Sequence, residues 1–372
     1  LLSFLCCCCF AWPGLAAQDD NPGPVILTWS GDPGSSQTIT WLMDDGTPAC
    51  VQYLEADDYE GSFDSAKNIE VNGDVFDAGG YRYSALLTGL LPNTEYVYRV
   101  GRGGNWSQVY SFSTAAYSDA FTFLYLGDIQ SGYGSWGSMV ETIYQENPRV
   151  KFSLLGGDLT DNGSDATEWR QFLEAAAGVF SRIAMMPTRG NHDGSLFINF
   201  FALPDNGPNG LKQEFYSFDY GNCHFAVLNS GNNTDENAKQ WLREDLQGSD
   251  RTWKLALFHH PAYPAFEDYK TIDESIRENW VPILEQCGVD MVFVGHQHEY
   301  MRTYPICQGK IQAEPHSCGI VYVMGNSGSK YYSAGAQFPY IAIEEPGSNY
   351  QVIDINGDVL TMTSIKANGD II

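Results

Sequence analysis

The chain has 372 residues, 46 acidic against 20 basic, and a formal net charge of −26. A surface this acidic repels phosphate backbones, which excludes non-specific nucleic-acid binding. An anionic substrate would need local positive charge, which bound metal supplies. Hydrophobic residues make up 43% of the chain, enough for sizeable cores, and the length suits two domains.

Residues 1–17 form an apolar segment ending in Gly-Leu-Ala-Ala. It is short for a bilayer span and reads as a signal peptide cut near Ala16 or Ala17, so a secreted protein, extracellular or periplasmic, is expected. The cysteines at positions 6–9 are apolar filler within it. No later run is long enough for a membrane span. Of the later cysteines, Cys307 and Cys318 form the close pair expected to be a disulfide in an exported chain. Asn105, Asn162 and Asn232 open glycosylation-type triplets.

Residues 22–115 read as all-β. Short β-rich runs at 25–29, 37–42, 51–54, 81–87 and 95–100, separated by Gly, Pro and Asp turns, predict a β-sandwich. The phrase Leu90-Leu91-Pro92-Asn93-Thr94-Glu95-Tyr96, followed by Ser111-Phe112-Ser113-Thr114, resembles the later strands of a fibronectin type III module. Nothing here shows ligand or acid–base spacing, so a packing or positioning role is expected.

Residues 119–372 alternate between strand and helix patterns. Strands are expected at 121–126, 152–155, 183–188, 254–258 and 291–294, with a strand pair over 216–228 turning at Gly221-Asn222. A capping box from Ser138 to Glu141 is placed in a helix that stops before Pro148, and Asp165 with Glu168 opens another running to about Phe180. Further helices are expected at 233–247 and, unbroken, at 273–287. From residue 320 the pattern is strands and hairpins, turning at Asn356-Gly357 and Asn368-Gly369.

Five of these strands end in metal-capable groups: Gly127-Asp128, Gly157-Asp158, Gly190-Asn191-His192-Asp193, His259-His260 and Gly295-His296-Gln297-His298. Taken singly, each is an ordinary turn. Five at strand C-termini in one domain, where α/β sheets collect ligands, point to a site. Carboxylate, amide and imidazole together suit borderline or hard cations, so two metal ions (Fe, Mn or Zn) are expected. Two ions about 3.5–4 Å apart can share a carboxylate and a bridging hydroxide that attacks phosphorus in line. Asp158, central in the series, is the natural bridge. The step from His296 to His298 puts both rings on one side of an extended segment.

This ordered set resembles the calcineurin-like metallophosphoesterases and, with the β domain in front, looks most like their purple acid phosphatase branch. The resemblance covers nearly the whole chain after the leader. It implies a four-layer α/β/β/α sandwich preceded by an all-β, fibronectin-like sandwich. It also implies one metal on Asp128, Asp158 and His298, and a second on Asp158, Asn191, His259 and His296. His192 would protonate the leaving oxygen or bind phosphate, its tautomer set by Asp193 or a backbone carbonyl.

Two departures stand out. The family's tyrosine three residues after the shared Asp is here Asp161, and the His that other members carry two residues after the first Asp is here Gln130. Asp161, Gln130 or water would then complete the first metal's coordination, and a colourless protein with a weaker first metal is expected. His260 is the candidate substrate contact, while His224 and His316 read as structural or surface. The expected function is a secreted dinuclear-metal phosphoesterase acting on small phosphate monoesters. The alternatives are a phosphodiesterase of cyclic nucleotides or nucleotide-linked esters, and an adhesion or binding protein with a decayed phosphatase domain.

Overall fold

Two β-sheets face each other across an aromatic core. The first runs in the order Val359–Lys366, Asn349–Asn356, Ala120–Leu126, Val150–Leu155, Ala184–Pro187, Val25–Thr28, Ser36–Met43, Gly80–Thr88, Asp74–Phe76. The second runs Tyr216–Tyr220, Cys223–Val227, Trp253–Leu257, Met291–Val294, Val321–Met324, Glu299–Thr303, Ile341–Pro346. This computed structural model describes residues 21–76, 80–267, 270–312, 318–332 and 338–372; the expected signal peptide and His316 lie outside the described residues.

Alternating apolar residues bind the sheets together. Phe123 stacks on Phe152 at 5.1 Å and meets Phe225 edge-on at 5.4 Å, while Phe218 stacks on Phe225 at 4.7 Å. Helices Tyr133–Glu146 and Ala166–Phe180 contribute Trp136, Trp169 and Phe172 to the same core. On the other side, Glu236–Gly248 and Val281–Gln286 bury Leu242, Leu246 and Leu284 against Ala226, Ala256 and Val292 of the second sheet. The α/β/β/α layering that the family resemblance implies is the one observed.

The N-terminal β domain is not a separate bead. Its strand Val25–Thr28 pairs in parallel with Ala184–Pro187, so the first sheet crosses the boundary between the two sequence regions. Without it, Ala184–Pro187 would present an open edge of unpaired N–H and C=O groups. Trp29 packs on Phe152 at 5.2 Å, and Tyr98 donates to the Ser181 carbonyl at 2.7 Å. The domain's opposite sheet is built on Ala49–Glu55 and Glu95–Arg102.

Two local expectations are corrected. Ser138 lies inside helix Tyr133–Glu146 rather than capping it; its hydroxyl donates to the Gly134 carbonyl one turn back, at 2.9 Å, so the helix continues through it. The run expected to be one helix is split into Lys270–Asn279 and Val281–Gln286. Pro282 explains the break: it has no N–H to give and is tolerated only in a first turn.

Candidate metal centre

Three parallel neighbours in the first sheet and two in the second deliver the site. Asp128 follows Ala120–Leu126, Asp158 follows Val150–Leu155, and Asn191 follows Ala184–Pro187. His259 follows Trp253–Leu257, and His296 and His298 follow Met291–Val294. The carboxyl ends of both sheets meet at one edge, so groups 168 residues apart, His296 N and Asp128 Oδ2, come within hydrogen-bond distance. Two glycines permit the approach: a Cβ on Gly190 would stand 2.2 Å from Asp158 Oδ1, and one on Gly295 would stand 2.4 Å from Asp128 Oδ2.

The donor atoms face one another. His259 Nε2 lies 3.1 Å from Asp158 Oδ2 and 3.1 Å from Asn191 Oδ1, with Asp128 Oδ1 at 4.0 Å. His296 Nδ1 lies 3.0 Å from the same Asn191 oxygen, and His298 Nε2 lies 3.7 Å from Asp128 Oδ1. Asp128, Asp158 and His298 form one cluster whose ligand atoms all lie within 4.8 Å of each other. His259 Nδ1 donates to the Gly156 carbonyl at 2.9 Å, which leaves Nε2 to present a lone pair to those oxygens. Acceptors converging on acceptors are satisfied by cations, so this donor set fits a metal.

The His pair does not sit on an extended segment. His296 has φ 77 and His298 has φ 50, both left-handed, so the rings part toward Asn191 and Asp128 respectively. Gln297 between them turns away: its amide accepts from Ala265 N at 2.7 Å and donates to the Phe266 carbonyl at 2.9 Å. That anchor holds the histidine loop against the segment carrying Ala265 and Phe266.

The pocket is electrostatically severe. Burial pushes Asp128 up to about 7, against the pull of the His259 imidazole. Burial would also raise Asp158, but His259 and the His192 N–H outweigh it and hold Asp158 below the ordinary carboxylate range. Burial disfavours charge on His259, yet Asp158 raises it to about 10. A proton and a metal compete for that nitrogen. Burial, reinforced by the neighbouring imidazole charge of His259, lowers His296 to about 3. Burial and the Lys330 ammonium lower His298 to about 4.

Several expected site residues make contacts other than the expected ones. Asp193 does not touch the His192 ring. Its buried carboxylate accepts from Leu159 N at 2.7 Å, Thr160 N at 3.1 Å and Gly190 N at 2.7 Å, tying the Asp158 loop to the Asn191 loop. His192 Nδ1 instead lies 2.7 Å from the Asp161 carbonyl. The Asp161 carboxylate is largely exposed, 3.8 Å from that ring and outside the clustered ligand atoms. Gln130 turns its NH₂ to Asp158 Oδ2 at 3.0 Å and its oxygen to Lys330 Nζ at 3.0 Å, so its oxygen is engaged by a side-chain cation. His260, expected to contact substrate, is buried with its ring 4.5 Å from His296 and Nδ1 on Ser230 Oγ at 2.8 Å.

His224 is structural, gripped by Asp219 at 2.7 Å and Asp245 at 2.9 Å. The expected Cys307–Cys318 disulfide is present.

Three contributors escaped the sequence reading. Asn326, after strand Val321–Met324, bridges to Asp128 through the backbone, and Ser327 N donates to the Asp128 carbonyl at 2.9 Å. Its signal was available, since Gly325-Asn326 repeats the glycine-then-acid-or-amide pattern of the other strand ends. Glu168 was expected only as part of a helix start; it accepts from Asp161 N at 2.7 Å and Asn162 N at 2.9 Å and so shapes the His192 side. Lys330, in a Gly/Ser-rich loop, had no pattern to mark it.

Comparison with known proteins agrees with this geometry. The calcineurin-like phosphoesterase family model matches residues 121–300, and the purple acid phosphatase N-terminal domain model matches residues 22–114. Over 337 residues the chain is 26% identical to purple acid phosphatase 18 of Arabidopsis thaliana, covering 86% of this chain and 74% of the relative. It is 27% identical over 362 residues to a phosphoenolpyruvate phosphatase of Allium cepa, covering 88% and 70%. In fold it is similar to a purple acid phosphatase from yellow lupin seeds, with TM-score 0.79 at 19% identity, covering 95% of this chain and 73% of that one. A similar likeness holds to PhoD, with TM-score 0.69 at 13% identity over 94% and 91%. With its calcineurin-like phosphoesterase domain, its purple acid phosphatase N-terminal domain and a convergent cluster of carboxylate, amide and imidazole donors, the chain belongs to the purple acid phosphatase-like metallophosphoesterases, metal-dependent phosphoric ester hydrolases.

Proposed function

We propose that the protein hydrolyses small phosphate monoesters at a two-metal centre. Asp128, Asp158 and His298 would hold one ion; Asp158, Asn191, His259 and His296 would hold the other. The observation that carries this reading is the meeting of Asp158, Asn191, His259 and His296 atoms at 3.0–3.1 Å with Asp128 and His298 alongside. Two bound cations would withdraw charge from the phosphate oxygens and lower the pKa of a shared water, making it the attacking nucleophile.

The chain's own residues do the rest. His192 N donates to Asp158 Oδ1 at 2.9 Å and so fixes that carboxylate's orientation. With Nδ1–H donated to the Asp161 carbonyl, Nε2 of His192 is the nitrogen left facing the site. In the imidazolium form it would hand its proton to the leaving oxygen and return to the neutral ring. The ring is about one-third exposed, open enough to meet a substrate. Asp193 acts through the loops, and His260 stands beside the second ion's ligands, with a ligand atom within 4.8 Å of those of His259 and His296. Monoesters are favoured because a relative over most of the chain is a phosphoenolpyruvate phosphatase. Export is supported by the disulfide, and no helix among the described residues is long and apolar enough to cross a membrane.

The test compares p-nitrophenyl phosphate with its bis ester, alongside elemental analysis of protein purified without added metal. Faster hydrolysis of the monoester, with more than one ion per chain and loss of both in Asp158→Asn, is expected. Preference for the bis ester would move the assignment to phosphodiesterase. Fewer than about one ion per chain with no hydrolysis would favour a decayed catalytic domain.

A further inference from the structure

The position that would supply an extra ligand to the Asp128, Asp158 and His298 cluster is filled by Gln130, and Gln130 is not free to ligate. Lysine ammonium only donates hydrogen bonds. Its 3.0 Å contact therefore requires the Gln130 oxygen, and the amide NH₂ is left facing Asp158 Oδ2, also at 3.0 Å. Both contacts are complementary as they stand; reversing the amide would set NH₂ against ammonium and oxygen against carboxylate. Gln130 is buried, and these two contacts together hold its amide in this one orientation.

Lys330 touches the cluster a second time. Its carbonyl lies 3.3 Å from His298 Nδ1 and accepts from Asn326 Nδ2 at 2.9 Å. One residue thus pins the His298 ring by its backbone and the Gln130 amide by its side chain. Only the second contact depends on side-chain identity.

Resting on the two-metal reading above, we propose that Lys330 is a positioning residue that makes the Asp128, Asp158 and His298 compartment the weaker of the two metal sites. It does so by locking the Gln130 oxygen away from the ion and by placing a fixed positive charge beside it. The negative charge that Asp128 and Asp158 concentrate is then partly balanced by the protein itself, and the ion on this side exchanges more readily.

The test is titration of chelator-stripped full-length protein with Mn(II), following free Mn(II) by electron paramagnetic resonance. Wild type should bind two ions in separate steps. Lys330→Met removes the charge and releases the amide, and should tighten the weaker step at least tenfold while leaving the tighter step within about twofold. Lys330→Arg, which keeps a donor-only cation, should titrate like wild type. In Lys330→Met the added change Gln130→Met, with no oxygen to offer, should give back part of the gain. An unchanged or weakened second step in Lys330→Met, with Lys330→Arg confirming the fold by binding both ions, overturns this proposal and leaves the metal centre standing. A wild type that binds no ion sinks the metal centre and this inference with it.

Discussion

Replacing Asp193 separates a clamp from a catalytic partner. In the structure its Oδ1 accepts from Leu159 N and Thr160 N while Oδ2 accepts from Gly190 N. Asp193→Asn keeps one acceptor, now uncharged, and turns an NH₂ group toward the Gly190 N–H. One charge-assisted bond is lost, leaving a buried donor unpaired, and two are weakened. At about 1.5–3 kcal/mol for a hydrogen bond to a charged group, the change should cost about 2–4 kcal/mol. Asp193→Ala strips all three N–H groups and should cost more, a large fraction of the roughly 5–15 kcal/mol that holds a typical domain. Urea unfolding followed by tryptophan fluorescence measures the loss, and the pH–rate profile with p-nitrophenyl phosphate measures the catalytic side. The clamp predicts a lower unfolding midpoint and reduced metal content with an unshifted profile. A stability unchanged within about 0.5 kcal/mol, together with a profile displaced by a pH unit, would show that Asp193 acts on His192 and refute the reasoning.

The remaining predictions concern charge and colour. Burial opposes charge on His224, but its bonds to Asp219 and Asp245 raise it to about 9, above its unfolded value near 6.5. Its contribution, about 3 kcal/mol, is therefore complete below about pH 6.5 and fades as pH rises through about 9. The stability gap between wild type and His224→Gln should shrink between pH 6 and pH 10; a constant gap would contradict this. The position of the family's metal-binding tyrosine is Asp161, whose carboxylate lies beside His192. The metal-loaded protein should accordingly show no visible tyrosinate charge-transfer band, and a purple sample would contradict it.

The ligand types and their order could be read from the chain because each is announced locally: an apolar strand, a glycine, then an acid, amide or imidazole. The same signal marks Gly325-Asn326, though its strand falls in a tail whose pattern reads as hairpins. The disulfide was legible from the closeness of Cys307 and Cys318 in a chain expected to be exported. Local signals misled where helix chemistry has two outcomes. Ser138 looks like a cap and serves as an interior hydroxyl, and Pro282 starts a second helix instead of lying within one.

What no local pattern carries is the choice of partner across long separations. The sequence alone determined that metal-capable groups stand at successive strand ends, since strand period and turn chemistry are properties of a few adjacent residues. Only the tertiary structure decided that Asp193 meets backbone N–H groups rather than a ring, that Lys330 captures the Gln130 oxygen, and that Val25–Thr28 completes the catalytic domain's sheet. The physical reason is that a buried polar group bonds to whatever the packing brings within about 3 Å, and that neighbour is set by how the two sheets close on one another.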